Sequence, residues 1–149
     1  MDRAPRSRPP ARAASGLRAG AAGGLGQPDE AAAAALREQL EPLGYTLCTI
    51  PVAAGLHFKS SVNLLGHDTL VATPAFAGRP EFHGFEVIEV AEAEAYAANI
   101  LRINDHVLVA AGFPELTSKL RARGFGLIVL NMSEVEKMDG GLSCLSLRL

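Results

Sequence analysis

The chain has 149 residues, 48% of them hydrophobic and 20% charged, with a formal net charge of −2. That length provides for one adequate core and a single domain. The near-balance of charge excludes a strong pull on nucleic acid or anionic membrane, and no apolar run is long enough to span a bilayer.

The average hides a seam. Residues 1 to 28 hold five arginines against one aspartate, a net of +4, which leaves −6 for residues 29 to 149. The first segment is Arg, Ala, Gly and Pro with almost nothing to bury. It cannot offset its ordering entropy and is expected to be disordered. It lacks a continuous apolar stretch and does not read as a secretory signal. A basic arm or targeting peptide is the functional alternative. Two cysteines, Cys48 and Cys144, do not make a disulfide framework, and point to a reducing cytoplasm.

From residue 29 the elements follow in order. Asp29, behind Pro28, can cap a helix through "EAAAAALREQLEPLG", which Pro42 and Gly44 end. "YTLCTIPV" is β-rich and predicts a strand with Cys48 half-buried. In "HFKSSVNLLGHDTLVATPAF" two apolar runs flank Gly66-His67-Asp68, a hairpin signature. "GRPEFHG" is a polar, helical turn leading to the strand "FEVIEV". The acidic "AEAEAYAA" is a linker. "NILRIND" and "HVLVAAG" make a second hairpin across Asn104-Asp105. "FPELTSKLRARG" is a helix with Pro114 in its first turn and Gly124 past its end. "FGLIVLN" is its strand, "SEVEKMDGG" is a short helical segment, and "LSCLSLRL" predicts a last strand. The order hairpin, helix, strand therefore occurs twice, at residues 57 to 90 and 99 to 131. The fold class is α/β, built of ββαβ units too small to stand alone.

Candidate chemistry centres on Cys144. In a regular strand it would share a face with Leu142, Ser146 and Arg148, opposite the apolar face of Leu145, Leu147 and Leu149. Filler cysteines favour the apolar side, so a nucleophile competes here with a structural cysteine. Asp139, Gly140 and Gly141 just before it allow close backbone approach. Of the four histidines, His67, His83 and His106 read as surface residues. His57, at a strand's start beside Lys59, Ser60 and Ser61, is the better proton partner, although pattern alone also fits a satisfied edge histidine. No Cys/His pair has metal-ligand spacing, and no glycine-rich phosphate loop follows a strand.

"GLHFKSSVNLLG" at 55 to 66 and "EVEKMDGGLSCLSLRL" at 134 to 149 resemble the dimethylarginine dimethylaminohydrolases, in the guanidine-modifying group with arginine deiminase and the amidinotransferases. The segments between resemble the same family in the same order, from about Asp29 to Leu149. The resemblance implies a partial α/β propeller of the pentein type, incomplete relative to five ββαβ modules. It implies Cys144 as nucleophile, His57 as general acid/base, backbone contacts to substrate around Met138 and Asp139, a methylated arginine as substrate, and no metal or organic cofactor. The family draws its acidic guanidinium contacts from earlier modules. An arginine-bearing "GLSxRTN"-like stretch usually precedes the similar region, where "GLGQPDE" at 24 to 30 has none. A truncated gene or mis-called start, with residues 1 to 28 foreign or out of frame, is therefore expected ahead of a real short protein that keeps half of the propeller, and either way little activity is expected of the chain alone. Glu92, Glu94 and Asp105 read as solvated linker and turn residues. The competing readings are an arginine deiminase or amidinotransferase relative, and a non-catalytic remnant that self-associates as a homo-oligomer.

Overall fold

The structure is a computed structural model that describes residues 29–51, 57–66 and 68–147. The expected disorder of residues 1 to 28 lies outside the described residues, as do His67, Arg148 and Leu149.

Helix α1, Glu30–Leu40, begins where Asp29 Oδ1 accepts the Ala32 N–H at 3.1 Å. The side chain satisfies one of the orphan donors at a helix start. A 3-10 turn, Glu41–Leu43, follows Leu40, and Gly44 closes it at φ 79. None of α1 is buried. The predicted strand over 45 to 51 is absent, and Cys48 is exposed rather than half-buried. A strand needs a ladder partner, and no described strand offers one to this segment.

The two repeats are present. In the first, α2, Phe58–Ser61, leads into β1, Val62–Leu64, which runs antiparallel to β2, Thr69–Ala72. The crossover carries α3, Pro74–Ala77, and a 3-10 turn, Pro80–Phe82. It returns to β3, Glu86–Glu89, parallel to β2 with Leu70 opposite Val87. In the second, β4, Leu101–Ile103, pairs antiparallel with β5, His106–Ala110, across a turn where Asn104 takes φ 52. Helix α4, Pro114–Ala122, then delivers β6, Gly126–Leu130, parallel to β5. Each sheet has its hairpin's second strand at the centre. A tight turn can only reverse a chain, so the parallel strand of each unit requires the helical crossover.

Alternation along the central strands divides the interior. Leu70 and Ala72 join Phe58, Val62, Phe76 and Phe82 in one cluster, while Val71 faces a second with Leu65, Ile88 and Val90. That second cluster also holds Ile100, Val107, Val109, Leu116 and Leu120, so both repeats share it. The "linker" at 92 to 98 is a 3-10 helix, Glu92–Ala98, whose Ala97 and Ala98 are buried in the same cluster.

After β6 comes α5, Ser133–Glu136. The predicted last strand is replaced by turns. The Cys144 N–H donates to Gly141 O at 3.1 Å and the Ser146 N–H to Ser143 O at 3.4 Å. Leu142 is buried at 5% exposure, whereas Leu145 and Leu147 lie open, Leu147 at 94%. The expected alternation is thus reversed, because the local three-residue hydrogen bonds consume the groups a ladder would use.

Candidate functional site

The turn that carries Cys144 is built from α5 onward. The Gly140 N–H donates to Val135 O at 3.0 Å and the Asp139 N–H to Glu136 O at 2.9 Å, and Asp139, three residues past the end of α5, takes the left-handed region at φ 56. Aspartate tolerates that conformation better than most side chains. The two glycines that follow permit close packing, as their position before the cysteine suggests. A Cβ on Gly140 would meet Val135 Cγ1 at 2.8 Å, and one on Gly141 would meet Asn99 Nδ2 at 2.2 Å.

Two side chains at the C-terminal end of the 3-10 helix hold this turn in place. The Tyr96 hydroxyl donates to Gly140 O at 3.0 Å, and Asn99 Oδ1 accepts the Ser143 N–H at 2.9 Å. Tyr96 also stacks at a tilt on Phe113, with ring centroids 5.7 Å apart. Burial, then the negative charges of Glu136 and Cys144, push the Tyr96 phenol above its ordinary value of 10.0. The phenol therefore stays protonated and keeps its role as donor.

His57 occupies the position before α2 in an extended conformation, φ −138 and ψ 150, with its side chain exposed. Its neighbour Phe58 is buried edge-to-face on Phe76 at 5.6 Å, which anchors the helix on the first cluster. The helix is tied to the same 3-10 element: Asn63 Nδ2 donates to Ala98 O at 2.7 Å and to Lys59 O at 2.8 Å. His57 and Cys144 thus stand on separate segments, the first fastened through Asn63 to Ala98 and the second to Tyr96 and Asn99. Met138, 73% exposed, and Asp139, also exposed, lie on the solvent side of the turn that carries the thiol.

Glu92 and Asp105 are exposed, as the sequence suggests. Glu94 is not a solvated linker residue. Its two carboxylate oxygens accept the Glu115 N–H at 3.0 Å and the Leu116 N–H at 2.8 Å, capping α4. Residues that sequence reasoning missed are Asn63, Glu94, Tyr96 and Asn99. The signal available for Asn99 is a polar residue set between the apolar pairs Ala97-Ala98 and Ile100-Leu101. Among the described residues no group of three or more His, Cys, Asp and Glu could hold a metal ion, and no helix is long and apolar enough to cross a membrane.

No protein-family model matches the sequence. A dimethylarginine dimethylaminohydrolase of Pseudomonas aeruginosa is 38% identical over 109 residues, which is 73% of this chain and 43% of that one. Its namesake in Streptomyces coelicolor is 30% identical over 124 residues, 83% of this chain and 47% of that one. This chain thus spans less than half the length of the curated relatives it matches. Among solved structures, a cysteine-to-serine variant of the Pseudomonas aeruginosa protein complexed with citrulline superposes with TM-score 0.74 at 36% identity, covering 78% of this chain and 46% of that one. An amidinotransferase of Microseira wollei, at 17% identity and TM-score 0.64, shares the fold over 74% of this chain and 36% of its own.

Proposed function

Since the chain belongs to the dimethylarginine dimethylaminohydrolase family and corresponds to the C-terminal part of its members, we propose that it carries the nucleophile-bearing portion of an amidine hydrolase site. The substrate class is a methylated arginine, whose guanidinium is planar and cationic. The Cys144 thiolate attacks the central guanidinium carbon, and the bond from that carbon to the methylated nitrogen breaks. His57 gives that nitrogen its proton, releasing methylamine or dimethylamine and leaving an amidino-thioether on sulfur. His57 then takes a proton from water, whose oxygen attacks the same carbon; the carbon–sulfur bond breaks and citrulline leaves. The backbone at Met138 and Asp139 lines the substrate's approach. The guanidinium itself favours the thiolate at the moment of attack.

The observation that carries this reading is the shared fastening of the Cys144 turn and the His57 helix to residues 96–99. A second support comes from the solved relatives. One is the cysteine variant already described, and another is a histidine-to-glycine variant held as an adduct with S-methyl-L-thiocitrulline. The position numbers of those two substituted residues differ by as much as Cys144 and His57 do here. Two exposed free thiols also fit a reducing compartment. The two ββαβ units are read as part of a pentein-type propeller. The acidic groups that grip the guanidinium come from outside these residues, so the 149-residue chain alone turns over little or no dimethylarginine.

A cationic haloacetamidine tests the site directly. Cys144 is labelled faster than Cys48, which is also exposed but has no role in the proposed chemistry. Equal rates at the two thiols overturn the reading. Citrulline production by the isolated chain, abolished by Cys144→Ala, overturns the need for further acidic contacts.

A further inference from the structure

Asn99 is one of three buried polar side chains among the described residues, at 6% exposure, with Ser61 and Thr73. Its Oδ1 accepts the Ser143 N–H at 2.9 Å, and its Nδ2 occupies the space a Cβ on Gly141 would need. The carbonyl just before it, Ala98 O, holds Asn63, which reaches back to Lys59 inside α2. Two adjacent residues therefore fasten the segment that carries the thiol and the helix that begins at the imidazole. The residue type suits the place. A shorter hydroxyl would not span the gap. A carboxylate would accept the same bond but bury a charge beside a thiol that must ionise.

We propose that Asn99 is a positioning residue for the reaction assigned to this site: its buried amide fixes the Gly141–Cys144 turn relative to the helix that His57 opens. The proposal rests on the reading of Cys144 and His57 given above. Asn99 touches no reacting atom and acts through the Ser143 backbone.

The test uses the full 149-residue chain with Cys48→Ser, so that one thiol remains. Amide exchange at Ser143 is followed by NMR. Alkylation of Cys144 by chloroacetamidine and by neutral iodoacetamide is followed across pH. Asn99→Ala speeds Ser143 exchange about tenfold or more, as loss of a hydrogen bond of ordinary strength allows. It also lowers the ratio of cationic to neutral alkylation rates several-fold. Asn99→Asp keeps the acceptor, so Ser143 stays protected, but its carboxylate opposes the thiolate and moves the alkylation curve to higher pH. Faster exchange with an unchanged ratio makes Asn99 merely structural and overturns the proposal. So does unchanged exchange in Asn99→Ala, or an Asn99→Asp alkylation curve that superposes on the parent's. A parent chain in which Cys144 shows no preference for the cationic reagent overturns the reading of the site, and the proposal with it. A selective parent with an equally selective Asn99→Ala overturns the proposal alone.

Discussion

Gly141 and Asn99 form a matched pair, because a Cβ at one would fall 2.2 Å from the amide nitrogen of the other. Gly141→Ala must push aside either a buried side chain or the turn itself. Overpacking of this kind costs about 1–3 kcal/mol. A denaturant titration should find that loss, and Asn99→Ala in the same chain should recover part of it, since the two substitutions meet in one space. Tyr96 gives a second prediction at this scale. Tyr96→Phe removes the donor to Gly140 O and costs about 1 kcal/mol near neutrality. The folded phenol titrates above 10.0, so the stability this proton supplies is fully present below pH 10 and is lost as pH rises through the folded value. Thermal melts on both sides of pH 10 should therefore show a smaller alkaline loss for Tyr96→Phe than for the parent. Glu136→Gln should reduce the upward shift, though burial will keep part of it.

Among the elements, α4 shows how a distant side chain completes a helix. Phe113 precedes Pro114 and offers no side-chain cap, so Glu94, 21 residues before Glu115, supplies both acceptors. Glu94→Ala should lower stability by about 1 kcal/mol, and Glu94→Gln by less, measured by chemical denaturation. The hairpins, the crossovers and α1 were legible in the sequence because their signals are local: turn residues between apolar runs, Pro114 at a helix start, Asp29 at another. Two predicted strands failed for a non-local reason. Residues 45–51 and 142–147 have strand-like composition, but no described strand pairs with either. The segment 92–98 looked like a linker because its acids and small residues show no apolar period. Its importance lies in Glu94 and Tyr96, whose partners are remote in sequence. The roles proposed for Cys144 and His57 come from motif resemblance. Asn63 and Asn99 passed unnoticed, since an asparagine in a sequence does not announce whether it is buried.

Taken whole, the protein presents several uncovered apolar positions. Leu64 on β1 and Ile103 on β4 are exposed, as are Leu145 and Leu147 beyond the thiol. Ile128 and Val129 are consecutive on β6, so they point to opposite faces, yet both are exposed. Leu127 and Leu130 pack inward, so that edge strand is open at one apolar position on each face, a surface that invites pairing. Size-exclusion chromatography should find the parent chain in species larger than a monomer, and Ile128→Lys with Val129→Lys should shift it toward monomer. A parent that elutes as a compact monomer would contradict this. The core arrangement sets a different limit. Leu65, Val71, Ile88 and Val90 come from one repeat and Ile100, Val107 and Val109 from the next, yet they fill one interior. A gene divided between the repeats would encode two peptides, each with half that interior facing water. The pair can be inherited, duplicated or recombined only as a single block.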